Sequence, residues 1–126
     1  MKALSRGEWL LLAAALSVAV VWHGQDVSWP RFAVAFAALD LVGYLPGALA
    51  HRRARGAVIA PVYHWLYNAT HNFLTAAVAA AAWAAAAGGP EWAMLALPLH
   101  LAGDRGVFGN GFKQPTDPFE PAEARP

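Results

Sequence analysis

Apolar runs broken only by short polar loops occupy most of residues 8–108, a pattern that makes a bilayer the natural solvent for the chain. A helix rises about 1.5 Å per residue and a hydrocarbon core is about 30 Å thick. On that scale the runs give four candidate spans, at about 8–22, 31–50, 57–87 and 91–108. Composition agrees, with 58% of residues hydrophobic and 13% charged; soluble domains carry about 45–50% and about 25%. The expected fold class is all-α, an integral membrane bundle of about four transmembrane helices. It fills one domain, residues 1–113, and the proline-rich remainder, residues 114–126, is expected to be a disordered tail.

Each span carries its own signals. Ser5 and Glu8 have capping-box spacing, which starts the first helix near Arg6. Its apolar run of about 15 residues crosses only if Trp9 and Trp22 sit at the two interfaces. A cleaved signal peptide is disfavoured, because Trp22-His23-Gly24-Gln25 lacks small residues at a cleavage position and further apolar spans follow. Pro30 is pre-set for the first turn of the second helix. The third span, about 30 residues or roughly 45 Å, is too long to stand upright, so it tilts, kinks or protrudes. Gly88-Gly89-Pro90 ends it, and the fourth span carries Pro98.

Charge sets the orientation. Lys2 and Arg6 precede the first span, Arg52, Arg53 and Arg55 lie between the second and third, and Arg105 and Lys113 follow the fourth. The other two loops hold Asp26, Arg31 and Glu91. In a four-span chain all the dense positive charge falls on one side, so both termini are expected in the cytoplasm. Arg52, Arg53 and Arg55 also suit anionic lipid headgroups, although the orientation rule explains them equally well. The net charge of +1 excludes a nucleic-acid footprint. The absence of cysteine excludes disulfides, thiolate metal sites and cysteine nucleophiles. The partner expected is the lipid bilayer, with a homo-oligomer or a larger membrane complex left open. Gly43 and Gly47, one turn apart, mark a face of the second span for close helix packing.

Polar groups inside the spans are the informative residues, because ionisable side chains at membrane depth cost roughly 2.5–3.5 kcal/mol each and usually mark a site. The second span holds Asp40 and Tyr44, one turn apart. The third holds His64, Asn68, His71, Asn72 and Thr75, whose offsets fit one helical stripe bordered by Tyr63 and Tyr67. The fourth holds His100 and Asp104, with Arg105 next. Counted along the helices, these groups gather in the cytoplasmic half, beneath outer ends built of alanine, leucine and tryptophan. They are expected to face one another, while Ala69, Phe73 and Val78 are expected to face lipid.

Asp40-Leu-Val-Gly43-Tyr44-Leu-Pro-Gly47, Tyr67-Asn68-Ala-Thr-His71 and His100-Leu-Ala-Gly-Asp104-Arg105, followed by Gly109-Asn-Gly111-Phe-Lys113, form an ordered set of short motifs. The set resembles a family of small four-helix bacterial integral membrane proteins of unknown function. The resemblance covers roughly residues 31–113; it carries no activity over and implies only that the polar positions are the ones to watch, while the spans and charges lead to the expectation of a multi-pass protein of the inner membrane. The loop from Arg52 to Ile59 is longer than that family's, and the stretch after Arg105 is one residue longer.

Three function classes remain. Asp40, His71 and His100, joined by His64 or Asp104, offer nitrogen and oxygen donors suited to a divalent metal such as zinc, iron or manganese. No HExxH pattern accompanies them. A structural or accessory membrane subunit would use the same groups only to pack helices, with Asp40 paired to Arg105 or a histidine and Asn68 and Asn72 bonded across helices. A proton or ion transporter would use them as a relay, but the outer halves of the spans show no continuation. Bis-histidine haem ligation by His71 and His100 is disfavoured, since their depths differ by roughly 10 Å. There is no phosphate-binding glycine loop, GxSxG or Ser-His-Asp arrangement, so whether the protein is an enzyme stays open. His23 reads as an interfacial loop residue and His51 as part of the basic loop.

Overall fold

The computed structural model describes residues 2–121, and every regular element among them is helical. Helix α1 is Lys2–Trp22 and α2 is Trp29–Arg53. Helix α3 is Pro61–Thr70 and α4 is Phe73–Ala87. Helix α5 covers residues 92–108: a 3-10 turn at Trp92–Leu95, an α-helix at Ala96–Gly103 and a wide π turn at Asp104–Phe108. A second π turn, Asp40–Tyr44, lies inside α2.

Several boundaries differ from those the sequence suggests. Helix α1 starts at Lys2, so Ser5 and Glu8 lie within it and form no capping box. Nothing in Lys2-Ala3-Leu4 breaks a helix, and these residues favour one. Helix α2 runs on to Arg53, which sets His51, Arg52 and Arg53 beside its last, electron-rich carbonyls. The expected third span, 57–87, is two helices. Residues 57–60 are not helical, and the chain breaks again at His71–Asn72. His71 leaves the helical region (φ −98°, ψ 49°), and Asn72 is extended (φ −139°, ψ 155°). The Asn72 side chain accepts from Thr75 N at 2.8 Å and donates to Thr75 Oγ1 at 3.0 Å. An asparagine that binds its own downstream backbone starts a new helix in place of continuing the old one. Helix α4 ends at Gly88, whose φ of 82° is the left-handed cap that glycine takes without strain.

The described residues divide into two compact units, 2–37 with 72–111 and 38–71 with 112–121. In the first, α1 packs along α5 so closely that a Cβ on Gly106 would stand 2.8 Å from Leu10 N. Arg6 donates to the carbonyls of Gly106 (2.8 Å) and Val107 (2.7 Å), tying the start of α1 to the end of α5. At the other end of these helices His23 stacks on Trp92 with ring centroids 3.6 Å apart, and Arg31 pairs with Glu91 at 2.8 Å. Ala93, Ala96, Leu97, Leu101 and Ala102 of α5 are buried.

In the second unit, α3 lies against the π turn of α2. A Cβ on Gly43 would overlap the Thr70 hydroxyl, and one on Gly47 would overlap the ring of Phe119. The glycine pair therefore does permit close packing, against a helix at Gly43 and against the C-terminal segment at Gly47. The expected tail begins in this segment, whose residues 114–121 hold no helix or strand but dock through Phe119. Phe119 is 1% exposed in a cluster with Ala48 and Tyr67. A proline-rich composition argues against helix and strand, but a single aromatic anchor is enough to dock an irregular segment. Residues 122–126 of that expectation lie outside the described residues.

Helices α1 and α2 are long and apolar enough to cross a membrane, and α4 is a shorter apolar helix. Leu4, Leu11, Val18, Val21 and Trp22 of α1, Val34, Leu41 and Val42 of α2, and Leu74 and Val78 of α4 are all exposed. Ala69 is exposed as well. Phe73, expected on the lipid side, is half-buried and stacks on Trp9 with centroids 5.5 Å apart.

Candidate functional site

Two histidine–carboxylate pairs, one in each unit, are the candidate functional groups. In the second unit His71 is the residue at which α3 ends, and Asp40 opens the π turn of α2. A π turn inserts one residue into a helix and re-aims the side chains around it, which is why such turns gather at functional sites. His71 Nε2 lies 3.3 Å from Asp40 Oδ1; the imidazole is 3% exposed and the carboxylate 51%. The other ring nitrogen, Nδ1, is 3.1 Å from Tyr67 O and 2.9 Å from Thr70 Oγ1. The Thr70 hydroxyl donates to the Leu66 and Tyr67 carbonyls, both at 3.0 Å, so toward His71 it acts as an acceptor. Nδ1 faces acceptors and carries a proton. Nε2 then either bears a second proton for Asp40 or turns a lone pair toward the carboxylate side.

The first unit repeats the arrangement. His100 Nδ1 is 2.7 Å from Phe36 O, an acceptor only, so Nδ1 donates. Nε2 lies 3.4 Å from Asp104 Oδ2, with the imidazole 3% exposed and the carboxylate 18%. Asp104 also opens a π turn, Asp104–Phe108. Each histidine thus has its tautomer fixed by a backbone carbonyl and its Nε2 set beside a carboxylate. This carbonyl–imidazole order is the outer-shell arrangement that orients metal-ligating histidines. It equally suits an imidazolium–carboxylate ion pair.

The remaining expected residues have other roles. His64, offered as an alternative ligand, is fully buried, but its Nε2 donates to Asp117 O at 3.0 Å and its ring meets Phe119 edge-on at 5.5 Å. Asp104 stands beside His100 in its place. Tyr44 donates its hydroxyl to Glu120. Asn68 binds the Lys113 backbone twice, Nδ2 to O at 2.8 Å and N to Oδ1 at 2.7 Å. Asn72 is the cap of α4, and since the helix breaks there, the expected stripe from His64 to Thr75 is not continuous. The Arg105 guanidinium lies over the rings of Trp9 (4.7 Å) and Phe73 (5.4 Å). Arg52, Arg53 and Arg55 are exposed, as a headgroup contact requires.

Comparison with known proteins finds no matching family model, no similar curated protein and no similar solved structure. The candidate site therefore rests on geometry. Sequence reasoning missed the Phe36 carbonyl, which no side-chain pattern reveals, and the aromatic grip on the C-terminal segment. Phe119, a lone large apolar residue among prolines and charges, was the available signal for that grip.

Proposed function

We propose that the protein is a four-span membrane protein of the cell inner membrane, both termini cytoplasmic, whose Asp40–His71 and His100–Asp104 pairs bind a divalent metal. The observation that carries the metal reading is the repeated local order: backbone carbonyl to Nδ1, Nε2 to carboxylate, carboxylate at the start of a π turn. Each pair supplies one imidazole and one carboxylate donor, a mixture suited to zinc, iron or manganese. His71 lies at a helix break, and broken backbone at membrane depth is tolerated where it is buried in protein or lines a cavity. Such breaks are where membrane proteins build ion sites.

The first unit supports the topology. Arg6 holds the last carbonyls of α5, so the start of the first span and the end of the fourth share one side. His23 with Trp92 and Arg31 with Glu91 put the first and third loops together on the other. Both α1 and α2 expose almost all of their apolar length, whereas the core helix of a soluble protein is mostly covered. The motif set resembles that of small bacterial membrane proteins of the same span count, which supports the reading.

Metal analysis of protein purified without chelators tests the site. The expected result is about one metal per chain, lost in His71→Ala and His100→Ala while helix content is unchanged. A metal-free wild type whose variants lose only stability would replace the site with a structural role for both ion pairs. A metal-free, folded protein that carries a cation flux abolished by Asp40→Asn would assign transport instead.

A further inference from the structure

We propose that residues 113–120 are a latch that regulates the Asp40–His71 pair by holding Tyr67 against His71. The inference rests on the metal reading for its consequence, but not for its geometry.

Tyr67 is 3% exposed and lies between the latch and the histidine. The His71 ring stacks on it at 4.0 Å with an interplanar angle of 11°. A ring has two faces, so the Lys113 ammonium, 4.7 Å over the Tyr67 centroid, occupies the other. Phe119 meets the same ring edge-on at 6.0 Å and 88°. Lys113 also sits 4.5 Å over Phe119 and donates to its carbonyl at 2.6 Å, closing the segment on itself.

The fastening comes from α2 and α3. Gly47 is the floor on which the Phe119 ring rests, and a Cβ there would overlap that ring. Asn68 grips the Lys113 backbone through both ends of its amide, His64 holds Asp117 O and Tyr44 holds Glu120. The segment itself has no helix or strand. With little structure of its own and one aromatic anchor, it opens as a unit at lower cost than the helices beneath it. Its departure uncovers buried His64, whose Nδ1 has no hydrogen-bond partner among the described residues. It also removes the cation and the ring that hold Tyr67, so His71 loses its stacking partner. Groups that orient a metal-ligating histidine typically change metal affinity about 10–100-fold when removed.

The test uses the absence of native cysteine. Ala48→Cys places a single thiol under Phe119, and maleimide alkylation of the full chain in detergent reports the closed latch. We expect alkylation to be slow in Ala48→Cys, slow with Phe119→Leu added, and about tenfold or more faster with Phe119→Ala, since access to a buried group follows local opening. Equal rates with and without Phe119 would overturn the latch. Zinc titration then reads the coupling. Affinity is expected to fall about 10–100-fold in Phe119→Ala and in Lys113→Gln, and to stay near wild type in Phe119→Leu. Unchanged affinity in a variant whose thiol has become reactive would overturn the regulation. If the wild type takes up no zinc, the metal reading fails by itself. The coupling is then decided by carbethoxylation of His71, which should rise in Phe119→Ala and whose constancy would sink the proposal.

Discussion

Gly43 sets how near α3 can come to the π turn of α2. Its missing side chain is the space that Thr70 fills, and Thr70 in turn accepts from His71 Nδ1. Gly43→Ala forces the two segments apart or strains the Thr70 rotamer, and overpacking of this kind typically costs about 1–3 kcal/mol. The expected outcome is a lowered thermal midpoint in detergent and, if His71 binds a metal as proposed, weaker binding, because the Thr70 acceptor shifts with the backbone. Gly7→Ala, in open space, is the control and should raise helix stability slightly, as alanine favours a helix by about 1 kcal/mol over glycine. Equal midpoints for the two variants would mean that Gly43 does not control the contact. At this scale much was legible: Asp40, His71, His100 and Asp104 stood out because charged groups in apolar runs are expensive. Which of them pair was not legible, because His64 has the same residue type and a compatible spacing, and only the fold shows its ring engaged by Asp117 and Phe119.

Asn72 decides the geometry of the break between α3 and α4. The Asn72 side chain satisfies Thr75 N, which the interrupted helix would leave without its carbonyl partner; in the proposed membrane arrangement that amide would have no water to turn to. Asn72→Ala should destabilise the protein by about 1 kcal/mol, the usual worth of an N-cap, while Asn72→Asp keeps most of the stability. Amide exchange at residues 73–76 is the direct measurement: faster exchange confined to that first turn is expected, and uniform protection would argue against a capping role. The same asparagine explains why the sequence suggested one long helix. Its offset from His64 and Asn68 matches a helical stripe, and periodicity cannot tell an interior asparagine from a cap. The better signal was its position directly before Phe73-Leu74-Thr75 and an alanine-rich run. The π turns at Asp40 and Asp104 had no such signal. A helix carrying one extra residue per turn looks like any helix over five positions, and what stabilises it is tertiary contact.

At the scale of the whole molecule, charge and exposed apolar surface have to agree on one orientation. Helices α1 and α2 present leucine, valine and tryptophan outward, the kind of surface that lipid would solvate in the proposed arrangement. Arg6 at one end of the first unit and the Arg31–Glu91 pair at the other show that its helices share a common pair of ends. The end carrying Arg6 also carries Lys2 and Arg105, and in the proposed four-span arrangement the positive-inside rule would put that end in the cytoplasm. Neither α3 nor α4 alone is long enough for a core of about 30 Å, since 10 and 15 residues rise about 15 and about 22 Å. The two must therefore act together as one broken span for the count to be four. A periplasm-dependent phosphatase fused after Gly89 should be active, and the same reporter fused at the C-terminus should be silent. Activity at both sites would mean that α3 and α4 do not form one crossing with α5 returning, and the four-span arrangement would fall. Silence at both would leave only α1 and α2 as spans, with α3 to α5 on the cytoplasmic face, and would move the histidine–carboxylate pairs out of the bilayer into a water-exposed site.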